Sequence, residues 1–270
     1  MALAYEQQER LATQIQHIGG AHLGAILTLQ SFTEDALSSL QTHAEYVVRE
    51  KEILDVVKAK ADAKVMGIIR LGDLFTADGM REAFISHRAS IVHLYPNLLT
   101  EMALIYRIAL FDALVPDVIR AVLSFVPQIL KTKDKSVTYE ELLELHEANS
   151  IVDTLIEREV GKVTRQSVEG QAKWIEGKLG IRYIQTEPEL ATLVEVNARR
   201  NILVHNGGVV NAEYLFAVPA TALTSGERVA VDREYWESAN KLLKFLALNF
   251  WMSVSNKFCP DIESISRSHS

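Results

Sequence analysis

The segment that begins at Tyr95-Pro96 is apolar on almost every side and limits what this chain can fold into. Beyond Tyr95-Pro96 its apolar residues leave no consistent polar stripe; they are Leu98, Leu99, Met102, Leu104, Ile105, Ile108, Ala109, Leu110 and Leu114. A helix that is apolar all round must be covered by other elements, so we predict the central helix of a folded core. The part from Ala103 to Phe125 also contains Arg107, Asp112, Pro116, Asp117 and Arg120. These are too many polar groups for a lipid-facing span.

Helix start and stop signals recur along the rest of the chain. The predicted starts, each a capping residue before an apolar pattern, are Ser31, Thr138, Ser167, Thr186 and Asp232. The predicted breaks, bends or ends are Gly19-Gly20, Pro116, Pro127 and Gly180. Residues 228–231 are the one credible strand-like piece, and the chain has no alternation of strands and helices. We therefore predict an all-α fold, a helical bundle with additional N-terminal helices.

Glycine-containing turns divide the chain between residues 72 and 95. Gly72-Asp73 and Asp78-Gly79 are typical of turns rather than of a long linker. We predict an N-terminal helical region of unknown role over residues 1–85, a second domain over 86–258 and a short tail over 259–270.

Composition excludes several classes of function. The net charge of -7 argues against a general coat for nucleic acid or anionic membranes, so an RNA site must be local. The single cysteine, Cys259, excludes an intramolecular disulfide framework and a cysteine zinc cluster. The histidines show no metal-ligand spacing, and the first residues lack a secretory signal. We expect a soluble cytoplasmic protein without a cofactor or a bound metal.

A strip of hydrogen-bonding side chains is predicted near the end of the helix that starts at Thr186. Asn197, Asn201 and His205 follow each other at four-residue spacing, with Arg200 beside them, and a second row faces the core: Leu190, Val194, Ala198 and Ile202. An imidazole in the last turn can exchange protons, and a guanidinium binds phosphate oxygens. The strip therefore suits metal-free cleavage of a phosphodiester. By spacing alone, a structural helix terminus remains the alternative.

The segment Arg200-Asn-Ile-Leu-Val-His205-Asn-Gly-Gly-Val-Val-Asn resembles the Arg-x4-His motif of the HEPN superfamily, in a form similar to its RiboL-PSP-HEPN-like members. Glu195 precedes it and Tyr214-Leu215 follows it. The resemblance extends over residues 90 to 255, because the apolar helix with Asp112, the segment from Ser167 and the closing helix occur in the same order. Some HEPN toxins carry a modifiable tyrosine two residues after the histidine, where this chain has Gly207.

The resemblance implies an all-α, dimeric, metal-independent endoribonuclease of a prokaryotic toxin or antiviral system, leaving 2',3'-cyclic phosphate ends. Two protomers would form one composite cleft for RNA, and an antitoxin or sensor protein is a further expected partner. Arg200 and His205 would be catalytic and Asn201 would assist them. The supporting residues would be Asp112, Glu195 and Asn206. A non-catalytic HEPN module for dimerisation or for binding RNA or protein is the alternative function, and an ion pair with Arg199 is the alternative for Glu195.

Basic residues are locally in excess between residues 158 and 182. Six Lys or Arg stand against three Glu there: Arg158, Lys162, Arg165, Lys173, Lys178 and Arg182. We name Lys173, Lys178 and Arg199 as possible RNA-binding residues, with a solvated helical face as the alternative. Trp174 and Tyr183 are candidates for stacking on bases or for packing in the core.

Overall fold

The protein is seen in a computed structural model that describes residues 5–62, 83–89, 92–131, 138 and 151–259. These residues are predominantly helical and contain no strand, which confirms the all-α prediction. The helices are α1 (Tyr5–Asp62), α2 (83–89), α3 (Tyr95–Phe125), α4 (Ile151–Thr164), α5 (Val168–Trp174), α6 (Glu187–His205), α7 (Ala212–Ala217) and α8 (Arg233–Phe258). Short 3-10 turns cover Val92–Leu94 and Pro127–Leu130, and a π-helical turn covers Ile175–Leu179. No described helix combines the length and apolarity that crossing a membrane requires.

The chain divides into two compact units, each assembled from separate parts of the sequence. One contains the described residues of Met1–Thr28, Leu104–Val229 and Glu237–Ser270, and includes the predicted site. The other contains those of Leu29–Ala103 and Ala230–Trp236. The predicted boundary after residue 85 remains a prediction.

Helix α3 supplies much of the core of the first unit, as its apolar pattern predicts. Its buried residues there include Leu104, Ile108, Leu114, Val115, Val118, Ile119 and Val122. Tyr183 lies between α3 and α8: its ring centroid is 6.5 Å from that of Phe111 and 5.1 Å from that of Phe250. The side-chain amide of Asn249 donates to the Tyr183 carbonyl at 2.6 Å. The segment before α6 is thereby fixed against the central helix.

The local signals around α6 predict its ends correctly. The Thr186 hydroxyl accepts from the Glu189 amide at 3.3 Å, and the Glu189 carboxylate accepts from the Thr186 amide at 3.2 Å. Both halves of a capping box are therefore present. The helix ends at His205, and Gly207 and Gly208 follow with φ of 59° and 78°, which favour glycine. Gly208 donates its amide to the Ile202 carbonyl at 2.9 Å and so closes the turn.

The predicted break at Gly19-Gly20 is wrong, because α1 is continuous through both glycines. A Cβ atom on Gly19 would overlap the Trp251 indole, whose Nε1 donates to the Ile15 carbonyl at 3.0 Å. Gly19 therefore makes room for a tryptophan of α8 rather than ending a helix.

Other local signals had different outcomes. Ser31 lies inside α1 and starts no helix, and α3 continues past Pro116 to Phe125. Pro127 begins a 3-10 turn after α3, as the fixed φ of proline favours. Residues 228–231 form no strand, although Arg228 makes one isolated antiparallel bridge with Val209. The helix predicted after Thr138 lies outside the described residues.

Candidate functional site

Helix α6 carries the three predicted catalytic residues on its last two turns. Arg200 is half-buried, whereas Asn201 and His205 are exposed. Of the predicted core row, Ala198 and Ile202 are buried and Leu190 and Val194 only half-buried, while Leu193 and Val196 are buried instead. The helix is thus turned slightly from the predicted orientation, and it leaves Asn201 and His205 accessible.

Arg200 pairs with Asp112, which lies 88 residues earlier on α3. The distance from Arg200 Nη2 to Asp112 Oδ2 is 2.5 Å, and the two side chains are 26% and 45% exposed. In the described part of the chain, Arg200 Nε is buried and has no hydrogen-bond partner. A buried donor without a partner is unfavourable unless a ligand or a water molecule reaches it, so this nitrogen marks a position where an acceptor would stabilise the site.

Burial and the charge of Arg200 shift the pKa of Asp112 in opposite directions. Loss of solvent raises the pKa of the Asp112 carboxyl, while the charge and hydrogen bond of Arg200 lower it, and burial is the larger effect. The ion pair therefore offsets part of the increase in the pKa of Asp112 that burial causes. Since both partners retain contact with solvent, the pair orients Arg200 more than it stabilises the fold.

Arg200 and Asp112 lie in the wall of a cleft of about 750 Å³. Helices α3 and α6 form one side, and the end of α4, the start of α5 and α7 complete it. Its polar side chains include Thr164, Gln166, Ser167, Glu169, Gln171, Asn197 and Asn201, and its aromatic ones are Phe111, Tyr183 and Phe216. A volume of this size is typical of sites for small organic ligands.

His205 faces a different, smaller cleft of about 460 Å³. Five residues along a helix correspond to roughly 140° around its axis and about 7.5 Å along it, so Arg200 and His205 point in different directions. Asn201 lines both clefts. In one copy of the chain the two predicted catalytic side chains are therefore not in the same cleft.

Glu195 forms the predicted ion pair with Arg199. The distance from Arg199 Nε to Glu195 Oε1 is 2.7 Å, and the side chains are only 13% and 19% exposed. The Tyr214 hydroxyl donates to the same Glu195 oxygen at 2.8 Å. Burial and then the Glu195 carboxylate raise the pKa of Tyr214. Arg199 thus belongs to a network that attaches α7 to α6, and little of it is accessible to RNA.

Two asparagine amides in and directly after α6 are used within the fold. Asn206 donates from Nδ2 to the Val209 carbonyl at 2.6 Å and fixes the loop after α6. Asn197 donates from Nδ2 to the Leu193 carbonyl at 2.9 Å, and its Oδ1 takes no part in this bond. Of the two amides in the predicted strip, Asn201 is exposed and Asn197 is half-buried.

Lys173 and Lys178 are exposed, as an RNA-binding or solvated face requires. Tyr183 is buried, so it packs in the core and does not stack on bases. Trp174 is half-buried, and its indole donates to Glu159 at 3.0 Å.

Several side chains of the larger cleft were not predicted as site residues, among them Gln166, Glu169, Gln171 and Phe216. Phe216 is 89% exposed. The signal for it was a phenylalanine in a short helix close to the Arg-x4-His motif, but nothing local indicates that it borders a cleft.

The described residues contain no group of histidine, cysteine and carboxylate side chains able to hold a metal ion. Comparison of the chain with known protein families, curated proteins and solved structures finds no match. The local geometry of α6 and its two clefts is therefore the basis for assigning a function.

Proposed function

We propose that the protein is a metal-independent endoribonuclease of the HEPN type that acts as a dimer. The observation that carries the proposal is the Arg200 guanidinium, held by Asp112 in the wall of a cleft with its Nε unpartnered, on the same helix as the exposed His205. Phosphodiester cleavage without a metal needs a fixed cation for the phosphate and an accessible imidazole for proton transfer, and α6 carries one of each.

In this proposal the 2'-hydroxyl of a ribose loses its proton and attacks the adjacent phosphorus. The bond to the 5'-oxygen of the next nucleotide breaks, and that oxygen takes up a proton. The products are a 2',3'-cyclic phosphate and a 5'-hydroxyl. His205 transfers protons, Arg200 donates to the phosphate oxygens as their charge increases, and Asn201 positions the ribose or the imidazole.

The separation of Arg200 and His205 favours a composite site. Because they line different clefts of one chain, one RNA strand meets both types of side chain most simply where two copies bring their α6 ends together. Residues Lys173 and Lys178 then provide exposed positive charge for the flanking phosphates. In a toxin or antiviral system, an antitoxin or sensor protein would control access to this site.

A second candidate function is a non-catalytic HEPN module that binds RNA or protein. It is favoured by the ion pair itself, since Asp112 neutralises the arginine, and by the net charge of -7. In that case Arg200 would hold α6 against α3, and His205 would have no chemical role.

The test is cleavage of RNA in the presence of EDTA. We expect fragments that end in 2',3'-cyclic phosphate, and we expect His205→Ala to reduce cleavage at least about a hundredfold because it removes the proton-transferring group. His17→Ala is the matched control, because His17 is also exposed on a helix but lies in α1. Light scattering should give a mass near twice 30.2 kDa for the wild type and for both variants.

The outcomes separate the two candidate functions. A wild-type protein that binds RNA but cleaves none, or a His205→Ala variant that cleaves at the wild-type rate, would support the non-catalytic module. A monomeric protein that nevertheless cleaves RNA would contradict the composite cleft.

A further inference from the structure

Phe216 exposes an apolar ring at the edge of the larger cleft. It lies on α7, two residues after the buried Tyr214, and 89% of it is accessible to solvent. Covering a phenylalanine ring with another apolar surface is favourable, and this ring has almost none of that benefit in the free chain. Single-stranded nucleic acids are commonly bound by stacking of a base on such a ring.

The polar wall of the same cleft is rich in hydrogen-bond acceptors. Gln171 donates from Nε2 to the carbonyls of Thr164 and Gln166 at 3.4 and 3.3 Å. Asn197 likewise donates from Nδ2 to a carbonyl of its own helix, so each amide keeps its side-chain oxygen as an acceptor. Glu169 adds a carboxylate. A wall of this kind favours ligands with amino groups over ligands with carbonyl groups at the same position.

Arg200 supplies the complementary donor. Its Nε is buried and unpartnered within the described residues, while Nη2 remains bonded to Asp112. A phosphate oxygen that reaches this nitrogen would satisfy a buried donor that is otherwise unpartnered. The cleft therefore combines a ring, an acceptor wall and a phosphate donor in about 750 Å³, which is sufficient for one nucleotide.

We propose that this cleft binds a single nucleotide of the RNA strand, with a base that carries an exocyclic amino group stacked on Phe216 and its phosphate at Arg200. Adenine, cytosine and guanine have such a group, and uracil does not. The inference rests on the proposed ribonuclease function, and it makes that enzyme selective for the base next to the cleaved bond.

The test uses the His205→Ala protein, so that binding is measured without cleavage. Isothermal calorimetry compares cytidine monophosphate with uridine monophosphate, and adenosine monophosphate with inosine monophosphate. Each pair differs where an amino group is replaced by a carbonyl group. We expect the amino-bearing member of each pair to bind about tenfold more tightly or better, because its amino group donates to the acceptor wall.

Variants at the ring provide the second part of the test. Phe216→Ala in the His205→Ala background should weaken binding of cytidine monophosphate about tenfold or more, and Phe216→Trp should retain it. Phe32→Ala is the matched control, since Phe32 is also exposed but lies on α1. Because position 216 is almost fully exposed, we expect all of these variants to fold, which circular dichroism will verify.

Each result has a definite meaning. Equal binding within both nucleotide pairs, or unchanged binding by Phe216→Ala, overturns the inference. If no monophosphate binds while the wild type cleaves RNA, the ribonuclease stands and the nucleotide site is wrong. If the monophosphates bind with the expected preference while the wild type cleaves no RNA, the nucleotide site stands and the ribonuclease is wrong.

Discussion

Arg107 is a buried cation of α3 that forms no ion pair with any residue the structure describes. Its side chain is inaccessible to solvent, and Nη2 donates to the Asn240 carbonyl at 3.3 Å. In the described part of the chain, Nε and Nη1 have no hydrogen-bond partner. Burial lowers the pKa of Arg107 to about 10. This value lies below the pKa of an exposed arginine. The buried charge therefore lowers the free energy of unfolding by its full amount at neutral pH, and by less only above about pH 10.

Replacement of this cation by an uncharged side chain of similar length should stabilise the protein. We expect Arg107→Met to raise the free energy of unfolding by roughly 1–3 kcal/mol, since it removes a buried charge and preserves most of the volume. Urea denaturation monitored by circular dichroism measures the change. Arg107→Lys keeps the charge and should give no gain. If Arg107→Met is less stable than the wild type, the packing of the arginine side chain stabilises the fold by more than its buried charge destabilises it.

The interpretation of single residues from sequence succeeded where the partner was close in the chain. Thr186 and Glu189 are three residues apart, and Gly180 follows its helix directly, so their roles were visible in the sequence. The pairing of Arg200 with Asp112 depends on how two distant helices pack, which spacing cannot provide. The resemblance to HEPN proteins pointed to Asp112, but not to its contact.

Among the elements, α1 shows how a distant partner overrides a local signal. Gly19-Gly20 has the composition of a helix end, yet the helix continues because Trp251 occupies the space beside Gly19. A pair of glycines is compatible with either outcome, and the deciding residue lies on α8. Ser31 likewise has the sequence of a helix start but lies inside a longer helix, where a cap has no function.

The two glycines of α1 should respond in opposite ways to the same substitution. Gly19→Ala should lower the free energy of unfolding by roughly 1–3 kcal/mol, because the new methyl group overlaps the Trp251 indole. Gly20→Ala is the matched control: a Cβ there meets no other atom within 4 Å, so the higher helix propensity of alanine should stabilise by roughly 0.5–1 kcal/mol. Urea denaturation of both variants measures the difference. Equal effects would contradict the packing of α1 on α8.

At the scale of the whole molecule, the single cysteine reports on unfolding. Cys259 is 4% exposed, and burial raises its thiol pKa from 9.0 to about 11. The folded protein therefore holds very little thiolate at pH 8, and the thiolate is the reactive form. Because the pKa is higher in the folded protein, the protonated thiol contributes its full amount to the free energy of unfolding below pH 9. This contribution is lost as the pH rises towards 11.

We expect the native protein to react with a thiol reagent at pH 8 at least about a hundredfold more slowly than the protein in concentrated urea. The single cysteine makes the rate a measurement at one site. Cys259→Ala is the control, and it should show no reaction in either condition. Native labelling at the rate of the unfolded chain would show that Cys259 is not buried in solution.

The fold class of the whole chain was accessible from sequence, whereas the shape of its site was not. Helical periodicity, caps and the absence of strand alternation are local properties, and they predicted the all-α architecture correctly. The angle between Arg200 and His205 follows from their five-residue spacing, but the two clefts that they line are formed by the packing of α6 against α3, α5 and α7. Phe216 and Gln171 join Arg200 only through that packing, so no motif could have predicted the larger cleft.

The contact between Gly19 and Trp251 also gives the protein an intrinsic optical probe. The Trp251 indole is held over a glycine and donates to a backbone carbonyl of α1, so separation of α1 from α8 would transfer it from helix surface to water. Indole fluorescence shifts to longer wavelength on such a transfer. In a protein with Trp174→Phe and Trp236→Phe, Trp251 is the one remaining tryptophan. Its emission would then follow the detachment of α1 from α8 in real time, without an added dye.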